Sequence, residues 1–210
     1  MAQRNNPMKI HYILVALCCA TSAATAETTA TSATPIAFLK GHDAQVQSVL
    51  AAAPSDTLPQ ALKDEIKEHI NAAFDFPELS RLALGTHWED RSPEEREHFV
   101  QTFSGIIREQ NFDSFLRYYR EGKISYQSAE LKGATAIVRA AIPLQRENVE
   151  IVYKLHQVQK AWRVYDLVID GVSTAEGNRR RYARYIEKKG YEKLISQLDK
   201  QLDRLHQSRK

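Results

Sequence analysis

The residues best suited to chemistry lie together near the C-terminal end, in "AWRVYDLVIDGVSTAEGNRRRYARYI". Asp166 and Asp170 interrupt an otherwise apolar run, and His156 lies one predicted strand earlier. A carboxylate in an apolar pocket has its pKa raised and can serve as a general base. Asp166 with His156 is therefore a candidate acid–base pair for a cone-fold enzyme acting on a small hydrophobic substrate. The structural alternative is equally concrete. Asp166 alternates with Tyr165 and Leu167, which points it away from the largest apolar side chains, and Asp170 precedes Gly171, where Asp is an ordinary turn residue. Past that turn, Arg179, Arg180, Arg181 and Arg184 share one predicted helix. Arg180 and Arg184 fall on one face at i, i+4. Such a run is either a solvated face or a cationic rim that meets lipid phosphates or an acidic partner.

Other catalytic signatures are missing from the sequence. It has no Gly-rich phosphate loop, no GxSxG and no HExxH, and only 8 glycines in all. His42, His69, His87, His98, His156 and His206 show no metal-ligand spacing, so no metal and no cofactor is expected. The first residues read as an export signal: Arg4 and Lys9, an apolar stretch from Ile10 to Ala20, then Ala24-Thr25-Ala26 as a small-x-small cleavage site. Met8 is an alternative start, and lipid attachment at Cys18 or Cys19 an alternative reading. Cleavage after Ala26 leaves 184 of the 210 residues and removes both cysteines, which excludes thiol chemistry and disulfides. Losing Arg4 and Lys9 lowers the formal charge from +3 to +1, so nucleic acid is not an expected partner.

These residues have to be positioned by a chain that changes period once. Residues 27–40 are small and polar and are expected to be a flexible leader, with a single domain over 41–210. Leu58, Leu62, Ile66, Ile70 and Phe74 recur every four residues as a helical stripe. A short helix between Pro77 and Gly85 comes next. Ser92, Pro93 and Glu95 then spell a capping box, followed by Phe99, Phe103, Ile106 and Ile107 on one face. Phe112, Phe115, Leu116 and Tyr119 follow at i, i+3, i+4 and i+7. After Gly122 the pattern becomes β-like in "KISYQSAEL", "GATAIVRAAIPL", "NVEIVYKLHQV" and "AWRVYDLVID", joined by short links that include Lys132-Gly133 and Gln159-Lys160. Four strands in an antiparallel meander are expected, then helices over 175–189 and from Tyr191 onward. Helices, strands and helices in that order describe an α+β domain with helices packed on one side of a curved sheet.

Three segments in this order, "FDFPELSRLALGTHW", "SPEEREHFVQTFSGII" and "WRVYDLVIDGVS" with the Arg-bearing helix after it, closely resemble the MlaC (toluene-tolerance) family of periplasmic phospholipid-binding proteins. The matching region runs from about Val46 to Leu198. Thr174-Ala175 and Gly177-Asn178 depart from the family's usual residues. The resemblance implies a nuclear-transport-factor-like cone enclosing an apolar lipid pocket, in a monomer of the periplasm. It also implies lipid exchange with an outer-membrane lipoprotein–porin complex and an inner-membrane ABC transporter bearing a ring of MCE domains, in support of outer-membrane asymmetry. Bound phospholipid is then cargo. The expected pocket walls are Phe99, Phe103, Ile106, Ile107, Phe112, Phe115, Leu116 and Tyr119 on the helices. On the strands they are Val138, Ala140, Ile142, Ile151, Tyr153, Leu155, Tyr165, Leu167 and Ile169. Arg179, Arg180 and Arg184 are the expected rim or docking face.

Overall fold

A computed structural model describes residues 34–53, 58–145 and 147–208. The expected signal peptide over 1–26 and the start of the leader lie outside the described residues. From Pro35 on, the leader expectation fails. Pro35–Ala52 is helix α1, begun by Pro35 in its first turn and by the Thr34 hydroxyl, which accepts from the Ala37 N–H at 3.2 Å. Its buried Leu39, Val46 and Val49 are spaced for one helical face, a pattern that the surrounding small polar residues obscure.

Helices α2 (Gln60–Asn71), α3 (Phe76–Leu84), α4 (Pro93–Gln110) and α5 (Phe112–Glu121) follow, with a short 3₁₀ turn at Gly85–Trp88. The capping box at α4 is complete: the Glu95 N–H donates to Ser92 Oγ at 3.2 Å, and the Ser92 N–H donates to Glu95 Oε2 at 2.7 Å. The sheet comprises β1 (Ser125–Lys132), β2 (Thr135–Pro143), β3 (Asn148–Val158), β4 (Ala161–Ile169) and a short β5 (Val172–Ser173), antiparallel and in sequence order. The two residues of β5 are too few to show a strand period, so the meander gains a fifth strand that the sequence pattern does not reveal. Gln159 and Lys160 both take positive φ in the β3–β4 turn, as a two-residue hairpin requires. Helices α6 (Thr174–Lys189) and α7 (Tyr191–Gln207) close the chain.

Register places one dry row across the sheet. Ala136, Val138, Ala140 and Ile142 of β2 lie opposite Leu155, Tyr153, Ile151 and Val149 of β3, and Leu167 and Ile169 of β4 lie opposite Tyr153 and Ile151. A shift between Lys154 and Leu155 inserts Tyr165 as an extra residue in β4, so Leu155 pairs with Val164. This bulge resets the alternation. Trp162, Val164 and Leu167 are buried, and Tyr165 leaves their row to lie beside the His156 ring, 5.2 Å between centroids. The expectation that Tyr165 shares a wall with Leu167 fails for that reason.

Four apolar clusters fill the domain. One is helical, joining α3, α4, α6 and α7 around Phe99, Phe103 and Tyr182. The second seats Leu39 of α1 on the sheet against Val138, Leu155, Trp162 and Val164. A third joins α1, α2 and α5, and the last sets Tyr118 of α5 on Ile142, Ile151 and Leu167. Phe74, in the link between α2 and α3, packs against all four.

Candidate functional site

Asp166 is almost fully buried, and its carboxylate is spoken for. It accepts from Lys154 Nζ at 2.8 Å, from Ser173 Oγ at 2.7 Å and from the Ala175 N–H at 3.0 Å. It thereby joins β3, β4 and the start of α6. His156 turns to a different acid: its Nε2 lies 2.8 Å from Asp75 Oδ2, while Asp75 Oδ1 caps α3 by accepting from the Glu78 N–H. The acid–base pair suggested by the sequence is thus not assembled, because each member is committed to another partner. Asp170 closes the turn after β4 at φ 47° and accepts from the Glu150 N–H at 2.9 Å, as a turn residue would. Among the described residues, no group of three or more His, Cys, Asp or Glu side chains is placed to hold a metal ion.

Two apolar cavities lie between the sheet and the helices. A first, narrow cavity lies between α2, α3, α4, α5 and the sheet, with Phe76, Leu79, Ile107, Phe112 and Thr174 in its wall. A second, also narrow, lies under α1 and is lined by Leu39, Tyr118, Ile142, Ile151, Tyr153 and Val164, among others. Ile70, Phe74, Phe115 and Leu167 border both. The two are therefore neighbours, parted by the same few side chains. Phe74 is fixed there by the main chain around it: the Asp75 N–H donates to the Val164 carbonyl and the Val164 N–H to the Ala73 carbonyl, both at 2.8 Å.

Polar groups gather at one end of the second cavity. Asp43 of α1 accepts from the Tyr119 hydroxyl at 2.7 Å and from the Tyr126 hydroxyl at 2.6 Å, which ties α1 to α5 and to β1. Burial raises the Asp43 carboxyl above its ordinary 3.8, and the two tyrosine bonds pull the other way without cancelling the effect. The Tyr119, Tyr126 and Tyr153 phenols are pushed well above the normal tyrosine range, by burial first, with the Asp43 charge adding to it and, at Tyr126, the neighbouring Tyr153 ahead of that charge. They remain neutral donors at any physiological pH.

The structure divides the expected walls. Ile107, Phe112, Phe115 and Leu167 line the first cavity, and Phe115, Tyr119, Ile142, Ile151, Tyr153 and Leu167 line the second. Phe99 and Phe103 do not: they stack on each other and meet Tyr182 edge-on, inside the helical cluster. Ile106 belongs to that cluster too, and borders an open hollow with Ile169. Val138 and Leu155 pack in the cluster under α1, Leu116 packs against the α1–α2–α5 cluster, and Ala140 is buried but borders neither cavity. A periodic stripe marks the buried side of an element; whether that side meets another element or a gap depends on the partner. Leu39, Asp43 and Tyr126 were overlooked because α1 and the half-buried side of β1 carry weak patterns. Phe74 was visible as the end of the α2 stripe.

Arg179, Arg180 and Arg184 are exposed on α6 and line neither cavity, so they do not form its rim. Arg179 donates to Glu176 in two bonds of 2.8 and 2.9 Å and lies against Gly85, and Arg180 stands 3.9 Å from the same carboxylate.

Comparison with known proteins gives one consistent result. The family model described as MlaC protein matches residues 42–200. The intermembrane phospholipid transport system binding protein MlaC of Haemophilus influenzae is 28% identical over 146 residues, spanning 67% of this chain and 68% of the relative. A phospholipid-binding protein from Ralstonia solanacearum, solved in complex with a phospholipid, superposes with a TM-score of 0.71 at 20% identity, covering 81% of this chain and 97% of that one. The α+β arrangement is therefore shared with that structure.

Proposed function

The chain belongs to the MlaC family, and from that premise we propose that it binds phospholipid by its acyl chains and carries it across the periplasm between membranes. The observation that supports this reading is the pair of adjoining apolar cavities between the dry face of the sheet and the helices. Taking two acyl chains through water exposes about 30 methylenes at about 0.8 kcal/mol each, a cost on the order of 20 kcal/mol. A carrier must replace water with dry walls and needs no catalyst or cofactor.

On this reading it exchanges lipid with the outer-membrane lipoprotein–porin complex and with the inner-membrane ABC transporter bearing the MCE-domain ring. Lipid extraction and mass spectrometry of the protein purified from the periplasm test the first step. Phospholipid at about one molecule per chain is expected, and its absence above background would remove the carrier reading. Transfer between liposomes bearing the two complexes tests the second.

A further inference from the structure

Helices α6 and α7 meet in an open hollow that shares no lining residue with either cavity. Tyr185 and Lys189 of α6 border it, with Glu192, Lys193, Lys200 and Arg204 of α7. The four cations are exposed. Lys189 lies 5.5 Å from the centroid of the Tyr185 ring. Lys193, Lys200 and Arg204 make no side-chain hydrogen bond or ion pair with any described residue. Among the described residues, Glu192 is the one carboxylate in the wall.

Spacing along α7 produces this arrangement. Positions 193, 200 and 204 stand at i, i+7 and i+11, which at about 100° per residue fall within about 40° of one another. They form a stripe on the side away from the buried Tyr191, Leu194, Ile195 and Leu198. It runs about 16 Å, at about 1.5 Å per residue. The acids of α7 take a separate stripe, since Glu192, Asp199 and Asp203 fall about 100° round the helix. Asp199 is held from α4, accepting from Thr102 Oγ1 at 2.8 Å and lying 3.0 Å from His98 Nε2. Lys and Arg outnumber Asp and Glu by only 29 to 26 in the whole chain, so the basic stripe reflects segregation of charge rather than excess.

A protein partner is usually held by apolar anchors within a polar rim, and Lys is depleted in such interfaces. This hollow offers one partly buried phenol among polar and charged groups. Ammonium groups on long flexible stems instead suit acceptors that are themselves mobile, and the phosphates of an anionic leaflet are such acceptors. We propose that the α6–α7 face is a bilayer-docking surface, on which Lys189, Lys193, Lys200 and Arg204 rest against a leaflet rich in anionic phospholipid. The contact is electrostatic and superficial: Tyr185 apart, no apolar side chain in the wall could enter the hydrocarbon. It is also independent of the cargo, because the face borders neither cavity.

The test floats the purified protein through a density gradient with vesicles of phosphatidylcholine alone or of phosphatidylcholine containing phosphatidylglycerol. At low salt the parent should float with the anionic vesicles and stay behind with the neutral ones, and it should detach as salt rises. Lys193→Gln/Lys200→Gln should weaken the association about tenfold to thirtyfold, at about fivefold for each lysine near the surface. Lys193→Arg/Lys200→Arg keeps the charge and should retain it, which separates loss of charge from loss of fold. Lys40→Gln/Lys123→Gln removes the same charge at the α1 end and should leave the association nearly unchanged. Equal flotation with neutral vesicles, equal loss in both Gln pairs, no loss in the α7 Gln pair, or loss in the Arg pair would each overturn the assignment. A parent that ignores anionic vesicles but is retained by immobilised polyglutamate would overturn it too, by making this face a protein-docking surface. None of these outcomes bears on the carrier reading, which is decided by the lipid extracted with the protein.

Discussion

The Asp43 carboxylate illustrates how a single side chain makes stability depend on pH. Burial raises its pKa above the ordinary 3.8, so the folded protein holds that proton more tightly than the unfolded chain does. The sign follows: stability is highest below the unfolded value, falls as pH climbs through the folded one, and levels off above it. Asp43→Asn has no proton to lose. The difference in unfolding midpoint between parent and variant, measured from about pH 4 to pH 7, should shift in favour of the variant as pH rises. A flat difference would mean that the carboxyl is not perturbed. Core and cavity residues separate in a second measurement at this scale. Phe103→Ala should cost about 3–5 kcal/mol in urea unfolding, because the ring is buried among fixed neighbours, and leave lipid content per folded chain unchanged. Ile151→Phe fills space beside the second cavity; it should lower bound lipid severalfold at a cost below about 1.5 kcal/mol. Equal loss of fold and lipid in Ile151→Phe would mean that the gap is ordinary core.

Among the elements, the ones easiest to read in the sequence were those whose signals are local. Ser92-Pro93-Glu95 announces α4 through hydrogen bonds within four residues, and Val149, Ile151, Tyr153 and Leu155 announce β3 by alternation. What could not be read depends on distant partners. Tyr165 moved because of a bulge opposite Lys154 and Leu155, and Phe99 and Phe103 proved to be core because α6 brings Tyr182 against them. Phe99, Phe103, Ile106, Val138, Ala140 and Leu155 are therefore buried, as their periodicity implies, yet border neither cavity. Two glycines at close approaches give the prediction for this scale. A Cβ on Gly122 would drive into the Ile142 side chain and also meet Leu144 and the Tyr118 carbonyl, whereas one on Gly105 meets only the flexible end of Leu202. Gly122→Ala should cost about 1–3 kcal/mol and Gly105→Ala clearly less. Equal midpoints in thermal unfolding would show that the α5–β1 link can yield.

On the proposed reading, holding a lipid and meeting a partner fall to different parts of the molecule. The cavities lie between the sheet and the helices, while Arg180 and Arg184 stand exposed on α6 and border neither. Neutralising Arg180 and Arg184 to Gln should leave lipid content unchanged. It should slow transfer to membrane-bound partners at low salt by about threefold or more, and the defect should fade at high salt, since exposed charge governs encounter rather than affinity. Unchanged transfer at low salt would make these arginines a solvated face. Phe74 acts on a longer timescale. Its ring borders both cavities and touches all four clusters, so its size contributes, with Ile70, Phe115 and Leu167, to how the interior is partitioned. A smaller residue there is expected to widen the passage between the compartments, and a bulkier one to narrow it. If the cavities hold acyl chains as proposed, carrying capacity is a heritable quantity that substitution at Phe74 would adjust, open to drift and selection.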